Sequence, residues 1–173
     1  MSTLFHVSED GTIERFEPRP LPEGTTLTEP VVWAIDEERL PNYLLPRECP
    51  RVTFYARPNS SPDDVARLLG PSGATHVVAI EAVWFERAAG TPLHVYELPG
   101  TDFRLLDEGA GYYVSPTAVV PSAVQRIERP LTALLQRGVE LRVTPSLWPL
   151  REAVVSSTLQ FSIIRFRNAA PPP

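Results

Sequence analysis

The sequence predicts an α+β fold in a single compact domain, with a mixed or antiparallel sheet, short helices and a longer C-terminal helix. Three observations predict it. Segments rich in β-branched and aromatic residues, bounded by Pro, Gly, Asp and Ser, fill the first two thirds of the chain and read as strands. The 20 prolines, about twice ordinary usage, exclude long helices from most of the first 120 residues. The last third instead carries apolar residues at helical spacing. At 173 residues the chain can bury about 70% of its unfolded surface, enough for a real core.

The elements follow in order. Strands are expected over 3–7, 31–35, 51–56, 76–82, 94–98, 112–114 and 124–127. Val31, Val32, Trp33, Ala34 and Ile35 run apolar without alternation, as a strand covered on both faces does. A short helix over 36–45 would start at Asp36 as N-cap and break near Pro46. A second, over 62–69, has Ser61 as cap, Pro62 at its first position and Gly70 beyond its end. A third, over 130–137, is spaced through Leu131, Leu134 and Leu135 and stops at Gly138. A strand over 140–143 precedes the longer helix, 147–166, capped by Ser146, although the types at 161–167 equally suit a strand. One domain over 1–170 and a disordered proline tail at 171–173 complete the expectation.

Composition removes whole classes of function. All 16 cationic side chains are Arg and none is Lys, so Schiff-base chemistry, pyridoxal phosphate and the Walker phosphate loop are ruled out. A single cysteine, Cys49, gives neither an internal disulfide nor a cysteine-rich zinc site. His6, His76 and His94 are too far apart for a helical H-E-x-x-H motif, and no metal cofactor is expected. A net charge of -5 argues against general nucleic-acid binding or an anionic membrane surface. The start has no cationic segment leading into an apolar stretch, and no apolar run approaches the 18 or so residues of a membrane span, which suggests a cytoplasmic protein.

Few residues invite chemistry. His6 lies on the first strand, just before the polar turn Ser8-Glu9-Asp10-Gly11, and reads either as a ligand-contacting imidazole or as a half-buried histidine bonded to backbone. Arg19, beside a proline-rich turn, reads either as a phosphate or carboxylate clamp or as an ordinary exposed arginine, the favoured reading. Tyr112, Tyr113 and Ser115, following Gly109 and Gly111, would line a polar pocket or simply form an ordinary strand. Cys49 has Arg47 and Arg51 nearby to lower its pKa but no histidine close in sequence, so an inert thiol is the favoured reading. No G-x-S-x-G elbow supports a serine hydrolase. Trp148, Arg151 and Glu152 suit a solvated helix face, and Arg165 with Arg167 makes only a small cationic patch.

The strings Leu4-Phe5-His6-Val7-Ser8-Glu9, Val31-Val32-Trp33-Ala34-Ile35-Asp36, His94-Val95-Tyr96-Glu97-Leu98-Pro99 and Gly111-Tyr112-Tyr113-Val114-Ser115-Pro116 carry a resemblance. Over nearly the whole chain it resembles an uncharacterised bacterial family catalogued as a domain of unknown function. Over residues 3–128 the order of segments is similar to the ADP-ribosyltransferase-like fold, especially the small rifampin ADP-ribosyltransferases. The resemblance implies a cytoplasmic domain that binds NAD or another nucleotide and transfers ADP-ribose. It implies that His6, the one candidate catalytic residue, bonds the ribose, that Trp33 takes the place of a nicotinamide-stacking tyrosine, and that Arg19 meets a phosphate. Tyr113 and Ser115 complete the expected ligand set. The chain departs from the pattern where Val7-Ser8 replaces Gly-Thr, and no single residue among Glu9, Asp36, Asp107 and Glu108 stands out as the acid. The rival expectation is a noncatalytic ligand-binding or protein-interaction domain on the same scaffold. The oligomeric state is left open.

Overall fold

The computed structural model describes residues 3–21 and 27–172. Pro22 and the terminal Pro173 lie outside them. In chain order the elements are β1 (Thr3–Ser8), β2 (Val32–Ile35), β3 (Arg51–Tyr55), α1 (Pro62–Asp64), β4 (His76–Glu81), α2 (Phe85–Gly90), β5 (Leu93–Pro99), β6 (Arg104–Asp107), β7 (Tyr112–Ser115), β8 (Ala123–Ile127), α3 (Pro130–Gln136), β9 (Glu140–Thr144), α4 (Trp148–Val155) and β10 (Gln160–Ile164). They make an α+β fold with two sheets. The chain divides into two compact units, Met1–Leu40 with Leu93–Ile127, and Pro41–Pro92 with Glu128–Pro173.

The first unit holds a six-stranded sheet in the order β6-β7-β2-β1-β5-β8, antiparallel throughout. Alternation along each strand sends one set of side chains into a core of Leu4, Phe16, Val32, Ala34, Tyr96, Leu98 and Val119. Phe16 and Val119 close the core edge by exchanging backbone bonds of 2.8 and 2.9 Å. The β6–β7 turn needs Gly111 at φ +64, where a Cβ would stand 2.5 Å from Arg39 Cγ. Strand β6 escapes sequence reading because it is an exposed edge of mixed residues, Arg-Leu-Leu-Asp, with a bulge before Asp107.

The second unit holds a four-stranded sheet in the order β10-β3-β4-β9, with β4 and β9 parallel and the other pairs antiparallel. Every residue of β4 is buried, as its unbroken apolar run Val77-Val78-Ala79-Ile80 requires. Val52, Phe54, Leu68, Leu69, Val77, Ala79, Leu147, Val154 and Leu159 make its core. Phe54 is wholly buried there, and truncating it to alanine would cost about 3–5 kcal/mol.

The helices follow their predicted starts more closely than their ends. Asp36 Oδ1 accepts the Arg39 N–H at 2.8 Å, an N-cap bond, yet the chain goes on only as a 3-10 turn, Leu40–Tyr43. Pro41 has no N–H to donate to an α-helix. Pro62 starts α1, which passes into a wide turn over Val65–Leu69 and ends at Gly70, φ +68. Ser61 makes no cap bond. The longer C-terminal helix expected over 147–166 is corrected to eight residues, Trp148–Val155. Ser156 Oγ and Ser157 Oγ turn back onto the carbonyls of Glu152, Ala153 and Val154, and the β-branched Ile163 and Ile164 pair with Val52 and Arg51 as strand β10. No helix of the described residues is long and apolar enough to cross a membrane.

Candidate functional site

Strand β1 is central in the first sheet, and His6 lies directly opposite Tyr96 of β5. The pleat puts His6 on the face of Leu4 and Ser8. Its Nδ1 lies 3.0 Å from the Trp33 carbonyl oxygen. A carbonyl only accepts, so Nδ1 carries the hydrogen of this bond. Phe16 packs against the imidazole at 4.7 Å between centroids and meets Tyr96 edge-on at 5.1 Å. The Tyr96 hydroxyl donates to the Asp10 carbonyl at 2.8 Å and accepts the Ile13 N–H at 3.1 Å. Ring orientation and the turn beside it are thereby fixed by apolar packing and by one buried phenol.

The remaining expected site residues divide between the two faces. Phe5 pairs with Ile35, which places Trp33 on the face of Phe5 and Ala34 on the face of His6. Trp33 stands opposite Val114, and its ring meets Tyr112 edge-on at 5.6 Å. Tyr113 and Ser115 stand opposite Ala34 and Val32, on the His6 face. Ser115 is fully buried, and its Oγ accepts the Thr117 N–H at 3.2 Å, closing a local turn. Arg19 exchanges backbone bonds with Val31 at 3.0 and 3.2 Å, so its main chain extends the sheet. The structure therefore gathers His6, Tyr113 and Ser115 on one face, with Trp33 on the other.

Among the four acids, Asp36 is half-buried beside Arg39. Burial raises its pKa above the ordinary carboxylate value, against the opposing pull of the Arg39 N–H bond and the Arg39 charge. Arg39 is itself buried, paired with Glu38 at 2.7 Å and bonded through Nε to the Gly109 carbonyl at 3.2 Å. Asp107 Oδ1 accepts the Ala110 N–H at 3.0 Å and so serves the turn before β7.

The sequence names His94 as one of three imidazoles but does not place it beside His6. His94 pairs with Ser8 on one side and Arg126 on the other, on the same face as His6. Its Nδ1 is buried and has no hydrogen-bond partner. The Gly11 turn lies on its ring, where an added methyl would collide with Nε2, Cδ2 and Cε1. The signal was the alternation His94, Tyr96, Leu98 on the core side of β5, which pairs this histidine with Ser8 once β1 and β5 are placed together.

In the second unit the polar groups bond internally. Arg51, 2% exposed, donates to the carbonyls of Asn42, Pro46, Arg47 and Cys49. Glu81 accepts the N–H groups of Leu147 and Ala170, and His76 Nε2 meets Asn42 Oδ1 at 2.7 Å. Burial pushes the Cys49 thiol up to about 11 despite Arg51 and Arg87, which makes it a poor nucleophile. Trp148 Nε1 donates to the Ala170 carbonyl, Arg151 lies over the Trp148 and Phe166 rings, and Arg165 and Arg167 both reach Glu48. Among the described residues, no group of three or more His, Cys, Asp or Glu could hold a metal ion. Comparison with curated proteins and with solved structures finds no match. A family model does match, over residues 5–169, and the chain belongs to that family, the family of unknown function DUF6886.

Proposed function

We propose that the first unit binds NAD or a related nucleotide on the His6 face of its sheet, on a scaffold of the ADP-ribosyltransferase-like type. The observation that carries this reading is the placement of His6 on the central strand β1, with its Nδ1 anchored to the Trp33 carbonyl and Tyr113 and Ser115 on the same face. A second support is that the segments bearing the resemblance are neighbours in space: β1 lies between β2 and β5, and β7 lies beside β2. In the catalytic version of this reading, the bond between ribose and nicotinamide breaks, nicotinamide departs with the bonding pair, and an acceptor nucleophile takes the ADP-ribose.

The noncatalytic reading has its own observation. Trp33 points away from the His6 face, so stacking on a base held by His6 falls to other groups. Titration with NAD by calorimetry, alongside chromatographic detection of free nicotinamide, separates the two. Saturable binding lost in His6→Ala supports the site, and nicotinamide release adds the enzyme. Absence of heat and of nicotinamide at millimolar NAD overturns both forms of the nucleotide reading.

A further inference from the structure

The six-stranded sheet ends in two edge strands, β6 and β8, and they are guarded differently. Strand β6 slips register between Leu105 and Asp107, and a bulged edge is a poor template for a further strand. Strand β8 instead keeps one register with β5 from Ala123 to Ile127. Ala123, Val124, Gln125 and Arg126 are all exposed. The edges of the other sheet, β9 and β10, are mostly half-buried. Among the described residues, β8 is therefore the regular edge that lies open to solvent.

One bond gives the direction of its main-chain groups. The Glu97 carbonyl accepts the Ser122 N–H at 2.9 Å, so it points toward β8. Alternation then turns Glu97, Val95 and Leu93 toward β8, and their partners Ala123, Gln125 and Ile127 back toward β5. The N–H and C=O of Val124 face outward, and no group of the described residues bonds them. Outward groups of this kind are what another strand pairs with. Val124 is 50% exposed and Val120, shortly before the strand, 58%.

We infer that β8 is a self-association edge, pairing antiparallel with β8 of a second copy about a two-fold axis at Val124. The inference does not depend on the nucleotide reading. A two-fold contact needs a strand that tolerates its own copy. With Val124 on the axis, the two valines exchange N–H···O=C bonds and their side chains meet, while Ala123 of each copy faces Gln125 of the other. None of these side chains carries charge. Arg126 and its copy stand about 13 Å apart along the strands, beyond the screening length of about 8 Å at physiological salt. Pairing of β8 with β6 of another copy would build an open filament, and the β6 bulge opposes it. The product is a closed dimer.

The test is sedimentation equilibrium of the intact protein from micromolar to millimolar concentration. The mass should rise from 19.2 kDa toward twice that value, with the Val124 amide protected from hydrogen exchange only at the high end. Val124→Pro removes the outward N–H, a change that an edge strand accommodates, and Val124→Lys sets two like charges on the axis. Each should weaken association about tenfold or more, the effect of losing one or two hydrogen bonds, with an unchanged circular dichroism spectrum. If Val124→Pro loses its fold, Val124→Lys decides alone, because it alters only an exposed side chain. Leu105→Lys, on the opposite edge, should leave association as it is. A single species of 19.2 kDa at every concentration would overturn the inference. So would a dimer that survives the Val124 variants, or one that Leu105→Lys dissolves.

Discussion

The two sheets handle their polar side chains in opposite ways. In the four-stranded sheet every buried charge is enclosed: Arg51 by four carbonyls and Glu81 by two backbone N–H groups. In the six-stranded sheet His6, Ser8 and His94 stay half-buried, and one nitrogen, Nδ1 of His94, has no hydrogen-bond partner. A group whose bonds are all made inside the protein has nothing left for a ligand. The difference directs functional interest to the first unit and assigns the second a structural part.

The largest expected effect breaks the second unit. Arg51→Met removes the donors from four carbonyls in a buried setting and should cost about 3–5 kcal/mol in denaturant unfolding, because the stranded acceptors lose their partners. A loss below about 1 kcal/mol would mean that the guanidinium is dispensable to the fold. Glu81→Gln comes next, at about 1–3 kcal/mol, since the neutral amide holds the Leu147 and Ala170 N–H groups less strongly.

Cys49 gives a pH signature of the same enclosure. Its folded pKa is raised to about 11 by burial, so its contribution to stability is complete below the ordinary thiol value near 9 and is lost as pH rises toward 11. The loss should be about 2–3 kcal/mol over that window, absent in Cys49→Ala. Alkylation at neutral pH should be slow in the folded protein and rapid in denaturant. Fast labelling of the native state would contradict an enclosed thiol.

The smallest expected effect sharpens the picture of the first unit. Trp33→Phe should change NAD affinity less than twofold, because Trp33 and His6 occupy opposite faces. A tenfold loss, measured by the same calorimetry, would place the ligand on the other face.

Most of the strands were legible because their signal is local. Continuous apolar runs such as Val77-Val78-Ala79-Ile80 and Val31 to Ile35 mark strands that are buried on both faces. Helix ends were less legible, because serine back-bonding at Ser156 and Ser157 and the pairing of β10 with β3 decide where α4 stops. Edge strand β6 was hidden by its mixed composition. His6 was visible as a polar residue on a strand. The alignment of Ser8 with His94 was not, since it depends on strand register, which joins residues more than 80 positions apart.

The most direct test of the contrast between the units is hydrogen exchange followed by mass spectrometry, with and without saturating NAD. The account predicts slower exchange in peptides covering 3–16 and 93–99, and no change in peptides covering 51–55 and 76–81. Protection confined to the second unit, or none in either, would contradict the assignment of the ligand face to the six-stranded sheet.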